Sequence, residues 1–305
     1  MLTDDVMARL AKLNRQSLPE EATRPTTKPR CRKPRRRKGR ITLAEAAPGE
    51  EVQNAAGTHW LIRQPIAELW PDSQRHLELG ERCLSAAANG QDPLHEELAA
   101  LAGVYPHGAM YLDLETCGLA GSMVFLTGIV VHHKGQLVLE QLLARDYSEE
   151  RSMLTAVWQS AAKRGVLITF NGKSFDWPMV HDRSTIHRLG SDERGRPRPS
   201  AAVVSTDESD VLQPDQPRPE LVHFDLLHHA RRRWKETLPD CKLQTLERFL
   251  CNRHRSGDIP GSEIPAAYHR FVRTGDANQM SDILHHNALD LVTLLQLSLR
   301  IAEPE

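Results

Sequence analysis

The order of patterned segments predicts an α/β protein, a mixed β-sheet flanked by helices. Three observations carry that expectation. "MYLDLE" alternates with a period of two, and "VFLTGIVVHHKGQLVLEQLLA" holds two apolar runs that turn back at "HHKGQ", the pattern of strands. "SMLTAVWQSAA" and the long "MSDILHHNALDLVTLLQLSLRIAE" are apolar at helical spacing. The resulting order, strand, hairpin, helix, strand, helices, calls for helices packed on a sheet.

Taken in order, residues 1–56 come first. They are polar and basic, with no periodic apolar segment after "VMARLAKL", so a disordered basic arm is expected. Within it "KPRCRKPRRRKGR", residues 28–40, carries nine Lys or Arg among thirteen positions, so a net charge of -1 leaves the remainder acidic. Such a run is a candidate for sequence-independent, salt-sensitive contact with nucleic acid. From "THWLIRQPI" the composition becomes globular, and one domain is expected over residues 57–305. "MYLDLE" is its first clear strand. Gly135 supplies the permissive backbone of the following hairpin. "SEERSMLTAVWQSAAKRG" reads as a helix with a Ser cap, acids in its first turn and Gly165 as its stop. "VLITF" is a short buried strand, and "NGKSFDWPMVHDRSTIHRL" leads into a helix. Residues 190–220 are rich in Pro, Ser, Asp and Arg without periodicity, and the apolar pattern resumes on both sides, so they read as a flexible insertion. After "LVHFDLLHHARRRW", the segments "KLQTLERFL" and "PAAYHRFVRTG" and the long final helix complete the domain.

Composition narrows the class. With 305 residues and 40% hydrophobic content, the chain supports one sizeable core plus an extension. Five cysteines without a CxxC pair suggest a reducing compartment. There is no leader-like apolar segment and no run of 18 apolar residues, so a cytoplasmic protein with no membrane partner is expected.

Charge sits where burial should forbid it. On a strand, Asp113 and Glu115 point the same way, about 7 Å apart, at the end of an apolar run. A desolvated carboxylate costs several kcal/mol unless it is paired or holds a metal. Asp176 follows "ITFNGKSF" at the mouth of a buried strand, where α/β folds assemble sites; a helix N-cap is the plain alternative. In the last helix His286 and Asp290 are four apart and share a face, while His285 points elsewhere. A local ion pair is the plain alternative there. Together four carboxylates need compensation, and an all-oxygen set favours Mg²⁺ or Mn²⁺. Two such ions can activate a water and stabilise the leaving oxygen of a phosphodiester, with neutral His286 as general base.

"LDLET.GL", "NGKSFD" and "HNALD", in that order, resemble the three motifs of the DEDD group of RNase H-fold 3′–5′ exonucleases. "HFDLLHHARRRWK", "LPDCKLQTLERFL" and "GDIPGSEIPAAYHRFVRTGD" look like its bacterial YprB-like branch. The likeness covers roughly residues 57–300 outside the insertion. It implies an RNase H-like sheet, its first three strands antiparallel and the later ones parallel. It also implies two-metal cleavage at nucleic acid 3′ ends. Asp113 and Glu115 match the first motif, Asp176 the second and Asp290 the third, with His286 as base and His285 as the alternative. Cys117 stands where the family commonly has Thr, and the turn after it looks shortened.

Lesser features follow. Asn171 and Lys173 are candidate substrate-binding residues; a turn cap and a solvated lysine are the plain readings. Asp225 reads as structural. Arg residues with Trp234 in "HARRRWK" suit phosphates and stacked bases. A non-catalytic nucleic-acid-binding or scaffold module is the competing function, and a hydrolase of small phosphate esters a third.

Overall fold

The computed structural model describes residues 40–88, 95–118, 121–189 and 221–303. The basic run before Arg40 and the expected insertion at 190–220 lie outside the described residues.

One sheet of seven strands organises the domain: β1 (Glu50–Asn54), β2 (Gly57–Pro65), β3 (Ala109–Thr116), β4 (Val124–His133), β5 (Gln136–Leu143), β6 (Val166–Thr169) and β7 (Val222–Asp225). Their spatial order is β1-β2-β5-β4-β3-β6-β7. Neighbours from β1 through β3 pair antiparallel, and β6 and β7 continue parallel beyond β3. The stretch β5-β4-β3-β6-β7 therefore has the RNase H-like order expected, and β1-β2 extend it past β5.

That extension corrects the arm boundary. Residues 40–56, expected to be part of a disordered arm, belong to the domain: β1 pairs with β2 along its whole length. Arg63 joins the three edge strands, its Nη1 2.6 Å from Glu50 and its Nε 2.8 Å from Glu140. The short, acidic β1 offers one apolar residue, Val52, to the core, which is why periodicity missed it; its pairing with β2 fixes it as a strand.

Eight helices of two turns or more flank the described sheet: α1 (Ser73–Ala88), α2 (Glu96–Val104), α3 (Glu150–Ala161), α4 (Asp176–Ile186), α5 (Leu226–Trp234), α6 (Leu243–Leu250), α7 (Ile264–Thr274) and α8 (Met280–Ala302). On one face, α3, α4 and α7 pack against Met110, Leu112 and Leu114 of β3. On the other, α1, α2, α5 and most of α8 pack against Ala109 and Tyr111. The β4–β5 hairpin turns at Lys134 (φ 46°) and Gly135 (φ 86°), both left-handed as a tight two-residue loop requires. The expected Ser cap of α3 is not formed. Ser148 donates from its backbone N and its Oγ to Asp146 Oδ1, at 2.8 and 2.6 Å, and α3 starts after Glu149 without a side-chain cap. Asp146 organises the turn instead, because an Asx side chain mimics a backbone turn better than a hydroxyl. Cys83, Cys117, Cys241 and Cys251 are free thiols, and no described helix is long and apolar enough to cross a membrane.

Candidate active site

Strand alternation decides where the acids point. Since Met110, Leu112 and Leu114 fill one core and Ala109 and Tyr111 the other, Asp113 and Glu115 face the second, under α8. The row across the sheet at this level is Asp113, Gly128 and Gln141. A β-carbon on Gly128 would lie 2.1 Å from Asn287 Oδ1 and 2.4 Å from Leu291 Cδ1, so the bare glycine is what lets α8 settle onto the sheet. The buried Asn287 amide then donates through Nδ2 to Asp113 Oδ2 at 2.8 Å, while its Oδ1 accepts from Gln141 Nε2 at 2.9 Å. β3 loses regular register after Glu115, where the chain leaves the sheet.

Asp176 is the first residue of α4, not its cap; Phe175 holds the cap position. The backbone N–H groups of Asp176 itself and of Leu114 favour the ionised Asp176 carboxylate and offset part of what burial does to it. On α8, His286 Nδ1 stands 2.9 Å from both carboxylate oxygens of Asp258, and its Nε2 is 3.5 Å from Asp290 Oδ2. His285 is exposed. Thus Asp113, Glu115, Asp176, Asp290 and His286, drawn from three distant segments, come together, and His285 does not join them.

Three of the carboxylates, Asp113, Glu115 and Asp176, resist ionising. Burial pushes Asp113 well above the usual carboxylate range, and repulsion from Asp290, Glu115 and Asp176 adds to it; the Asn287 hydrogen bond offsets only part. Burial, then Asp290, Asp176 and Asp258, raise Glu115 to about 8. Asp176 is raised to about 7, chiefly by burial, with Asp225 and Asp290 contributing. Desolvated negative charge of this density calls for a cation. The donors are all carboxylate oxygens, and hard divalent ions suit them.

One cation is supplied by the chain itself. Arg255, its side chain 8% exposed, donates from Nε to Glu247 at 2.6 Å, from Nη1 to Asp258 at 3.1 Å and from Nη2 to Asp290 Oδ1. It thereby ties α6, the loop before α7 and α8 together behind the site. Burial pushes Asp258 up, yet the hydrogen bonds from His286 and Arg255 hold it below its ordinary value. Sequence reading missed Glu247, Arg255 and Asp258, because nothing in "CNRHRSGDIP" marks two of its members as partners of a helix some 30 positions on.

At the other end of the site, the fully buried Asp225 accepts from the backbone N–H groups of Asn171 (2.8 Å) and Lys173 (3.1 Å), and caps α5 through Leu227 N–H at 3.1 Å. Its structural role was legible. Asn171, with a left-handed φ of 62°, and Lys173 form an exposed lip beside Phe175, itself 37% exposed. The Lys173 ammonium is paired with Glu97, not turned to the acids, a contact with α2 that no local pattern announces. Of the expected Arg/Trp surface, Arg231 and Arg232 are exposed, whereas Arg233 donates from Nη1 to the carbonyls of Arg300 and Ile301.

A family model described as the RNase H superfamily matches residues 110–301, the span from β3 to the end of α8 that contains all four acids. A Bacillus subtilis (strain 168) protein named "Uncharacterized protein YprB" is 30% identical over 204 residues, 66% of this chain and 43% of that protein. The chain therefore matches less than half the length of that relative.

Proposed function

The chain belongs to the RNase H superfamily, and from that premise we propose that it is a metal-dependent 3′–5′ exonuclease that hydrolyses phosphodiester bonds at nucleic acid 3′ ends. The observation that carries this reading is the convergence of Asp113, Glu115, Asp176 and Asp290, in which Asp290, Glu115 and Asp176 raise the cost of ionising Asp113, and Asp290 and Asp176 that of Glu115. A surface built only to bind phosphate gains nothing from such a set. When bound, a pair of Mg²⁺ or Mn²⁺ ions supplies the Lewis acidity that polarises a phosphodiester and eases deprotonation of a water. The four carboxylates would hold those ions. Asp113 is kept in place by Asn287, and Asp176 by its place at the start of α4. His286, oriented by Asp258, offers Nε2 as the general base. At the lip, Asn171 would meet the terminal nucleotides, Lys173 would do so only on leaving Glu97, and Phe175 offers a ring on which a base can stack. Single-stranded or 3′-terminal DNA or RNA is the partner this arrangement fits, and the basic run at 28–40 would add salt-sensitive affinity.

The test is shortening of an oligonucleotide labelled at its 5′ end, with Mn²⁺ or Mg²⁺, by the wild type and by Asp113→Asn. A ladder receding from the 3′ end in the wild type, and none in the variant, is expected. Equal degradation by both proteins would discard the assignment, and immediate release of the labelled nucleotide would reverse the polarity.

Arg255 favours a second reading. Its guanidinium already neutralises part of Asp290, as a site adapted to bind without cleaving would allow. That non-catalytic module would retain oligonucleotide in the presence of Mn²⁺ and leave it intact.

A further inference from the structure

His95, Glu97 and His229 place one ligating atom each within 4.8 Å of one another, and the nuclease reading has no use for them. We propose that they form a separate site for a zinc-class transition metal, with an open fourth position, beside the strand ends that carry the acids.

The donors meet from two helices. His95 precedes α2 and Glu97 lies in its first turn, while His229 belongs to α5. Glu97 Oε2 is 2.7 Å from His229 Nε2 and 3.8 Å from His95 Nδ1. Ligands bonded to zinc at about 2.0–2.2 Å in a tetrahedron stand a little over 3 Å apart, so small side-chain shifts suffice. The two imidazoles meet edge to face with centroids 4.6 Å apart, and Phe224 packs edge-on against the His229 ring at 4.5 Å. His229 is 5% exposed, a placement that fixes a ligand. Glu97 is fixed as well: Lys173 holds its Oε1, leaving Oε2 to face the histidines. The proton shared between Glu97 Oε2 and His229 Nε2 leaves when the cation takes its place.

The donor set chooses the metal. Two imidazoles and one carboxylate suit Zn²⁺ or Co²⁺, whereas Mg²⁺ prefers oxygen alone. An ion there would clamp α2 to α5. Through Lys173 and the bonds from Asp225 to the backbone of residues 171 and 173, it would also stiffen the loop that leads to Asp176. This site stands on its own residues and not on the exonuclease reading.

Titrating the metal-free full-length chain with Co²⁺ tests it. The expected result is a visible band of tetrahedral Co²⁺ that saturates at one ion per chain and is bleached by Zn²⁺. His95→Ala, which removes an exposed ligand, should weaken Co²⁺ binding about tenfold or more, since even partners of ligands are worth about 10–100-fold. The isosteric Glu97→Gln should abolish the band, and Asp113→Asn should leave it intact. Absence of the band in the wild type would overturn the proposal, as would unchanged binding in both His95→Ala and Glu97→Gln. Loss of the band in Asp113→Asn would instead put the ion among the acids and equally refute a separate site.

Discussion

Asn287 Nδ2 lies 2.8 Å from Asp113 Oδ2 and 3.3 Å from the Asp113 carbonyl oxygen, so α8 is fastened to β3 at the residue where the candidate chemistry begins. Gln141 fixes the sense of that bond. Its amide donates to Asn287 Oδ1 at 2.9 Å and to the Leu284 carbonyl at 2.8 Å, so Asn287 must present Nδ2 to the carboxylate. The contact thus orients Asp113 whether or not it carries a proton.

Asn287→Ala leaves buried polar groups unpaired on both sides, and each costs about 1–3 kcal/mol. A kcal/mol shifts the melting temperature of a domain this size by about 2–4 °C, so a drop of several degrees is expected, with Mn²⁺-dependent activity lowered in step. Gly128→Ala should act alike without touching a polar group, because its new β-carbon displaces the Asn287 amide. A Gly128→Ala protein with wild-type melting and activity would show that α8 does not need this close approach.

In chelator, stability should fall as pH rises from about 6.5 to about 8. The sign follows from two opposed sets. Glu115 and Asp176, raised in the folded state to about 8 and about 7 from 4.5 and 3.8, bind more protons folded than unfolded, so stability is lost as pH climbs toward those values. His59 and His223, lowered by burial from 6.5 to about 4, act the other way, and only below about 6.5. Above that, the carboxylates alone decide. Thermal melts across this range read the slope, and saturating Mn²⁺ should flatten it. Asp113→Asn, which removes one ionisable acid from the cluster, should make the profile in chelator shallower. A flat profile in chelator would contradict the raised acids.

Arg255→Ala takes one guanidinium from Glu247, 1% exposed, which keeps only Arg253 at 3.3 Å, and from Asp290 and Asp258 at once. Removing one partner of a buried pair costs about 3–5 kcal/mol, and urea unfolding should register a loss of at least that order. Arg255→Lys should rescue only part, since one ammonium cannot keep three divergent contacts. If Arg255→Ala proves as stable as the wild type, the guanidinium network is not what holds α6 to α8.

His286→Ala should slow phosphodiester hydrolysis by about 10²–10⁴, the usual worth of a general base, while His285→Ala should behave as wild type. Asp258→Asn should lower the rate, because the carboxylate 2.9 Å from His286 Nδ1 positions the ring; a wild-type rate would show that Asp258 does not orient it. Equal losses in the two histidine variants would remove the distinction between them.

Much of this was legible from the chain because it is written at short range. The alternation of "MYLDLET" places Asp113 and Glu115 on one face, the four-residue step from His286 to Asp290 places both on one side of a helix, and Lys134–Gly135 closes a hairpin. Each follows from backbone periodicity within about one or two turns of chain. What only the tertiary structure decided is which faces meet. β1 is a strand because β2 lies beside it. Arg255 finds Asp290, Lys173 finds Glu97, and Glu97 finds His229 across separations of 35, 76 and 132 residues. Electrostatic and hydrogen-bonding partnerships depend on distance in space, which sequence spacing does not encode once a chain has folded over its own sheet.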